Sequence, residues 1–247
     1  MIRWLIGVDD TDNLESRGTG HLARRLAECL SQFHPSLSIQ GISRHQLFFD
    51  SRIPFTSHNS SACIELSFPS PLYYEIVQLC ERFLTENSAS GSDVGFCLIE
   101  WDQISTEIIE FGKIAKVNIL TMDLAYRLIG ESNGLLSGLR GSCGGIIGAL
   151  AAVGLRKSGN DGRVLWRKGL RELAGIHRID HLISGGSVDS VQTLAGQTPH
   201  MLEKVQLDDW VRPVFRGGKA VLIVEEIQND HAKWHSITKE VVKRLSD

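Results

Sequence analysis

The sequence contains no C-x-x-C pair; its five cysteines, Cys29, Cys63, Cys80, Cys97 and Cys143, are odd in number and scattered. That spacing excludes a disulfide framework and a zinc ribbon, and it suits a reducing compartment. Long apolar runs are absent as well. The longest, Gly144 to Leu155, has about a dozen residues against the ~20 that a membrane-spanning helix needs, so no membrane role is expected. Met1 leads directly into a strand-like segment, which leaves no room for a basic leader with a cleavage site, and a cytoplasmic location is expected. A basic surplus is also missing: 26 Lys and Arg stand against 29 Asp and Glu, a net charge of −3, so the chain as a whole does not attract nucleic acid. Low-complexity tracts and internal repeats are missing too. With 247 residues, 42% hydrophobic and 22% charged, the chain can build one large core or two small ones, and its pattern is mixed α/β.

What is present begins with three carboxylates in four residues, Asp9-Asp10-Thr11-Asp12, directly after the apolar run Arg3 to Val8. Unit charges about 4 Å apart repel by roughly 4 kcal/mol at an effective dielectric near 20, so such a cluster calls for a compensating cation or backbone amides. Oxygen-only ligands suit a hard ion such as Mg2+, which keeps waters and takes substrate phosphates. An Asx turn, in which Asp and Asn side chains accept from nearby amides, accounts for the same residues.

Leu22, Leu26, Cys29, Leu30 and Phe33 repeat at helical spacing and predict an amphipathic helix from about Gly20 to Phe33. Residues 39–50 and Ala62 to Phe68 read as extended, Leu72 to Phe83 as a second helix, and Gly95 to Glu100 as a strand, an order that resembles half of a ferredoxin-like unit. Asn118 to Gly130 predicts a third helix. Gly138 to Gly145 is a glycine-rich turn leading into a small-residue helix, Ile146 to Val153. Glycines at a helix start let amides face an anion; without a following Lys-Ser or Lys-Thr this is not a Walker A loop. Close packing explains Gly148, Ala149, Ala151 and Ala152 equally well. Further on, Val211 to Phe215 and Ala220 to Val224, joined by Arg216-Gly217-Gly218-Lys219, predict a hairpin, and residues 229–247 a polar, partly helical tail.

Gly7-Val8-Asp9-Asp10-Thr11-Asp12, then Thr19 and Leu22-Ala23, then Gly145 to Gly154 together resemble the N-terminal part of the archaeal tRNA(Ile2) 2-agmatinylcytidine synthetase family. The resemblance implies a kinase-like α/β domain with a ferredoxin-like subdomain over residues 1–165; the change of texture beyond Trp166 marks a small strand-rich region, 166–247, apart from it. It implies ATP and Mg2+ as cofactors, with Asp9, Asp10 and Asp12 holding the metal and the triphosphate. Thr19 falls at the spacing of a threonine that the family phosphorylates on itself; a helix N-cap is the alternative. Lys116 lies near a basic position of the family. Where the family carries Lys-Thr-Arg-Gly-Asn-Gly after Ile-Pro, this chain has Ile53-Pro54 and then Thr56 to Ser61, a neutral, hydroxyl-rich loop. The family's zinc ribbon is absent, and nothing after residue 166 matches its OB-fold.

Other candidates complete the set. Arg140, Gly141, Ser142, Gly144 and Gly145 are expected to meet phosphate, with Arg140 and Lys116 as charge stabilisers. His21 and His58 are candidate acids or bases, His58 the better placed because its loop matches a substrate-facing segment of the family; a plain surface histidine is the alternative. His177 and His181, spaced i, i+4, would put two imidazoles on one face of a helix. Cys143 is either a nucleophile at a helix start or a packing residue. The expectation is an Mg2+-dependent, ATP-using enzyme that phosphorylates a carbonyl or amide-type oxygen on a small-molecule acceptor. The alternatives are a tRNA-modifying enzyme without the usual tRNA-binding domains, and a non-catalytic nucleotide-binding sensor or partner protein.

Overall fold

Trp4 to Val8 contains only buried side chains apart from Gly7, so the first strand, β1 (Ile2–Asp9), has no solvent face. Such strands read as continuous apolar runs because both faces of their sheet are covered. The computed structural model describes residues 1–53, 59–228 and 230–247, and the chain divides into two compact units, Met1–Ser158 and Gly159–Asp247. In the first unit β1 is followed by α1 (Thr19–Phe33), β2 (Ser38–Gln46), β3 (Ser60–Phe68), α2 (Tyr73–Asn87), β4 (Gly95–Glu100), α3 (Thr106–Ile114), α4 (Met122–Gly130), β5 (Leu135–Gly138) and α5 (Ile146–Ser158). β1 pairs antiparallel with β3 and β4, β2 with β3, and β5 with β4, which gives the order β5-β4-β1-β3-β2. β1 and β2 therefore run parallel with β3 between them, as β3 and β4 do with β1 between them, two interlocked split β-α-β units.

Trp4 stacks on Phe68 with ring centroids 5.0 Å apart and meets Tyr73 of α2 at 5.4 Å, so α2 covers that face, and α1 packs on α2 and β3. The other face belongs to α5. Leu5, Cys63, Cys97 and Ile99 share one core with Ala149, Ala152 and Val153 of α5 and Ile108 and Phe111 of α3. A Cβ on Gly7 would lie 1.9 Å from the Ala149 carbonyl oxygen, and one on Gly154 2.1 Å from that of Ile108. Close packing thus accounts for these small residues. At the far end of α5, buried Glu65 accepts from Arg156 at 2.5 Å and from Arg3 at 2.6 Å, and Arg3 lies 3.3 Å from the Trp101 ring centre.

The second unit holds β6 (Arg163–Trp166), β7 (Gly175–Arg178), α6 (Ile179–Ser184), β8 (Ser190–Thr193), β9 (Lys204–Leu207), β10 (Val214–Arg216), β11 (Lys219–Glu226), β12 (Trp234–Ser236) and α7 (Lys239–Ser246). Its strands run β6-β10-β11-β12-β9-β7, and β8 pairs parallel with β11. The expected hairpin is there: Arg216 pairs with Lys219 across Gly217 and Gly218, at φ +56° and +78°, the two left-handed positions of a type I′ turn.

Several expectations need correction. The two units divide at Ser158/Gly159, and β6 (Arg163–Trp166) lies in the second. The helix expected from Asn118 starts at Met122, capped by the Thr121 hydroxyl. α3 was not expected from its short apolar pattern, although its Ser105 cap and Glu107 in the first turn are start signals. His177 lies on β7 and His181 on α6, so they share no helix face, and His177 bonds the Ala174 carbonyl at 2.9 Å. Among the described residues, no helix is long and apolar enough to cross a membrane.

Candidate functional site

β1 ends at Asp9, and Asp10 reverses the chain at φ +51°, a left-handed conformation that a non-glycine residue seldom adopts. The antiparallel register that sets Asp9 opposite Gly95 brings the start of β4 to the same place, so Asp93 joins the two aspartates. Asp9, Asp10 and Asp93 line a cavity of about 270 Å³, together with Arg52, Asn118 and Ser142 and an apolar wall that includes Leu47, Leu120 and Ile147. Arg52 is the one cationic side chain among the described lining residues, and it is paired with Asp50 at 2.7 and 2.8 Å.

Burial pushes the Asp9 carboxyl up to about 8, and the charges of Asp10 and Asp12 add to the rise against a bond from the Asp10 amide. Its Oδ2 lies where a side chain on residue 148 would be: a Cβ on Gly148 would sit 1.7 Å away. Gly148 therefore makes room for Asp9 and not for a neighbouring helix. Asp10 is also raised, chiefly by burial and then by the charges of Asp93 and Asp12, while a bond from the Asp93 amide opposes the shift. A carboxylate that has lost its water and faces others is stabilised by a proton or a cation.

The other expected residues scatter. Asp12 turns to the start of α1, where its Oδ1 accepts from the Thr19 hydroxyl at 2.9 Å; that hydroxyl accepts from Thr11 at 3.2 Å. Thr19 is buried, and the N-cap of α1 is Gly18, so Thr19 is not the cap. An Asx turn does form nearby, at Asn13, whose Oδ1 accepts from the Glu15 amide. Arg140 does not face the cavity: it donates to the carbonyls of Ser88 at 3.1 Å and Thr85 at 3.4 Å at the end of α2. Lys116 follows the cavity residue Ala115 but does not line the cavity itself. His58 lies outside the described residues. Among those that are described, no three His, Cys, Asp or Glu side chains form a metal-holding group.

The glycine turn forms one wall of the cavity through Ser142, Gly144 and Gly145. Its amides are mostly engaged within the protein: Ser142 donates to Asp93 Oδ1 at 2.5 Å, Gly145 to the Asp93 carbonyl at 2.8 Å, and Cys143, Ile146 and Ile147 to the Arg140, Cys143 and Gly144 carbonyls. The expected open cradle of amides is therefore largely closed, with a carboxylate already in it. Cys143, like Asp10, has positive φ, +64°. Two strained non-glycine residues thus stand next to one cavity, as strain at functional sites tends to do.

No protein-family profile and no curated protein matches the chain. Among solved structures, the TiaS–tRNA(Ile2)–ATP complex matches 62% of this chain and 36% of its own at 23% identity, with a TM-score of 0.54. The fold is TiaS-like. Apo TiaS, a tRNAIle2 agmatidine synthetase, matches the same share at 22% identity and a TM-score of 0.51, and a tRNA fluorescent labeling enzyme at 23% and 0.52. The chain thus spans about a third of the length of these proteins, 35–36%. The TiaS-like fold agrees with the resemblance carried by the aspartate and glycine motifs. Asp93 and Arg52 are the site residues that the motifs missed; Asp93 stands before the strand that pairs with the end of β1, a relation only the sheet reveals.

Proposed function

We propose that the chain is an Mg2+-dependent, ATP-using enzyme of the TiaS type that activates a carbonyl or amide-type oxygen by phosphorylation. The observation that carries the reading is the desolvated Asp9 carboxylate beside Asp10 in a cavity of a TiaS-like fold. The donor set fits the group: two half-buried carboxylates offer oxygen-only ligands that suit a hard cation bringing waters and phosphates of its own. Asp9 and Asp10 would hold it, and ATP with Mg2+ supplies the electrophilic phosphorus and the neutralising charge. The chain's own part is positioning and electrostatics. Gly148 leaves room for the Asp9 carboxylate and the Asp93 amide orients Asp10, while Arg52 stands at the cavity in an ion pair with Asp50. The β4-β1-β3-β2 order supports the ferredoxin-like part of the expectation, and a cytoplasmic enzyme is consistent with the cysteine pattern.

A cavity of about 270 Å³ is at the small end for ligand pockets, and it favours part of a nucleotide and a small acceptor carrying a nucleobase-like carbonyl. A tRNA acceptor is the second reading. It is favoured by the tRNA and ATP named in the TiaS complexes, and by the basic side chains of Arg17, Arg24 and Arg25, which together with burial lower the pKa of His21 just past the aspartate loop. Incubation with ATP and Mg2+, with or without tRNA or free nucleosides, tests both. ADP or AMP formed by wild type and lost in Asp10→Ala supports an ATP-using enzyme, and the additive that speeds the reaction identifies the acceptor class. Failure to bind ATP overturns the proposal.

A further inference from the structure

We infer that Asp93 is a positioning residue that clamps the glycine turn 141–145 onto the Asp9-Asp10 loop and so holds the nucleotide site in its binding shape. The inference rests on the nucleotide reading above. All three polar groups of this residue are engaged, and they reach both sides of the cavity. Its main-chain N–H donates to the Asp10 carboxylate. Its main-chain carbonyl accepts from the Gly145 amide at 2.8 Å, and its Oδ1 accepts from the Ser142 amide at 2.5 Å. The side-chain bond is charge-assisted, the stronger kind.

The glycines of the turn fit this clamp. A Cβ on Gly141, at φ +62°, would lie 1.8 Å from Asp93 Oδ1, and one on Gly145 would lie 2.6 Å from the Asp93 carbonyl oxygen. The turn needs glycine where Asp93 comes close, so Gly141 is explained by its carboxylate and Gly145 by its main-chain carbonyl, without any phosphate. The same contact sets where Ser142, Gly144 and Gly145 stand along the cavity wall. Without the side chain, the turn keeps the Gly145 bond and loses the Ser142 bond. A misplacement of about 1 Å in a group that positions a reactant can cost about 100-fold in rate. A carboxylate beside the phosphate site also repels the nucleotide, so the clamp and the charge make opposite predictions.

The test compares wild type, Asp93→Ala and Asp93→Asn as full-length chains, by calorimetric titration with ATP in Mg2+ and by hydrogen exchange at the Ser142 amide. The asparagine variant keeps an acceptor for Ser142 and removes the charge. The clamp predicts that D93A loses Ser142 protection and binds ATP about tenfold or more weakly, the worth of one charge-assisted bond. It predicts that D93N keeps protection and binds within about threefold of wild type, or more tightly. Unchanged or tighter binding by D93A overturns the inference, because Asp93 would then act only as a repelling charge. So does a D93N variant of unaltered melting temperature that binds about tenfold more weakly, since a charge on the ligand's metal and not a positioned turn would be lost. If D93A does not fold, D93N decides through exchange: loss of Ser142 protection with ATP binding unchanged overturns the inference, and loss of both together supports it. Absence of ATP binding by wild type is the separate failure of the nucleotide reading, and it takes this inference with it.

Discussion

Asp9→Asn should stabilise the protein near neutral pH, and the effect follows from the desolvated carboxyl. In the folded state Asp9 titrates near 8, against an ordinary value of 3.8. The sign follows from the raised value: Asp9's contribution to stability is fully present below about pH 4, where both states are protonated, and is lost as pH rises through about 8. Between those limits the unfolded chain ionises and the folded one does not, so each pH unit removes up to about 1.4 kcal/mol. By pH 7 the loss reaches about 4 kcal/mol. An asparagine does not titrate, yet its amide keeps an oxygen for the Asp10 N–H, so D9N should exceed wild type by about 2–4 kcal/mol at pH 7 without divalent ions. At 2–4 °C per kcal/mol this is a rise of roughly 4–16 °C in melting temperature. The assay is thermal unfolding by circular dichroism from pH 4.5 to 8.5 in a chelator, then again with Mg2+. Wild type should lose stability steadily toward pH 8 and regain it with Mg2+, while D9N keeps only the smaller loss that the raised Asp10 carboxyl causes and does not respond to Mg2+. Parallel pH profiles for the two proteins would refute the desolvated-carboxylate argument, and an equal response to Mg2+ would refute Asp9 as its ligand.

Gly148→Ala puts a methyl group where Asp9 Oδ2 lies, and it should abolish the Mg2+ response in the same melts while changing stability by less than about 1 kcal/mol, since alanine favours the helix. Gly7→Ala meets backbone and not a side chain, the Ala149 carbonyl, and should cost about 1–3 kcal/mol or more, read as a lower urea midpoint. Glu65→Gln takes from the buried Arg156 the carboxylate that it bonds at 2.5 Å and should cost about 3–5 kcal/mol in the same assay; a cost below ~1 kcal/mol would show that the pair is dispensable. Burial raises the thiols of Cys63, Cys80 and Cys97, so these three should stay unreactive toward a thiol reagent until the chain unfolds, and fast native-state labelling of any of them would contradict their burial.

Local sequence determined the features whose causes are local. Leu22, Leu26 and Leu30 mark the buried face of α1, the Gly95 to Glu100 strand stands where its apolar run lies, and Gly217-Gly218 makes the hairpin because only glycine takes two left-handed positions cheaply. The aspartate motif placed Asp9 and Asp10 correctly at the end of a strand, and its pairing with the glycine turn pointed to the TiaS-like fold that the solved structures bear out. Tertiary structure decided which neighbours these residues keep. Asp12 is two residues from Asp10, yet it serves the start of α1; Asp93 is more than eighty residues away, yet it lies beside Asp10 because β4 pairs antiparallel with β1. Arg140 belongs to the glycine motif, but the end of α2 offers it carbonyls away from the cavity. Gly148 fits a packing stripe in sequence, but it makes room for a carboxylate in space. A motif records which residue types a turn contains, whereas side-chain partners depend on strand register and on helices laid across the sheet, which bring together residues that the chain keeps far apart.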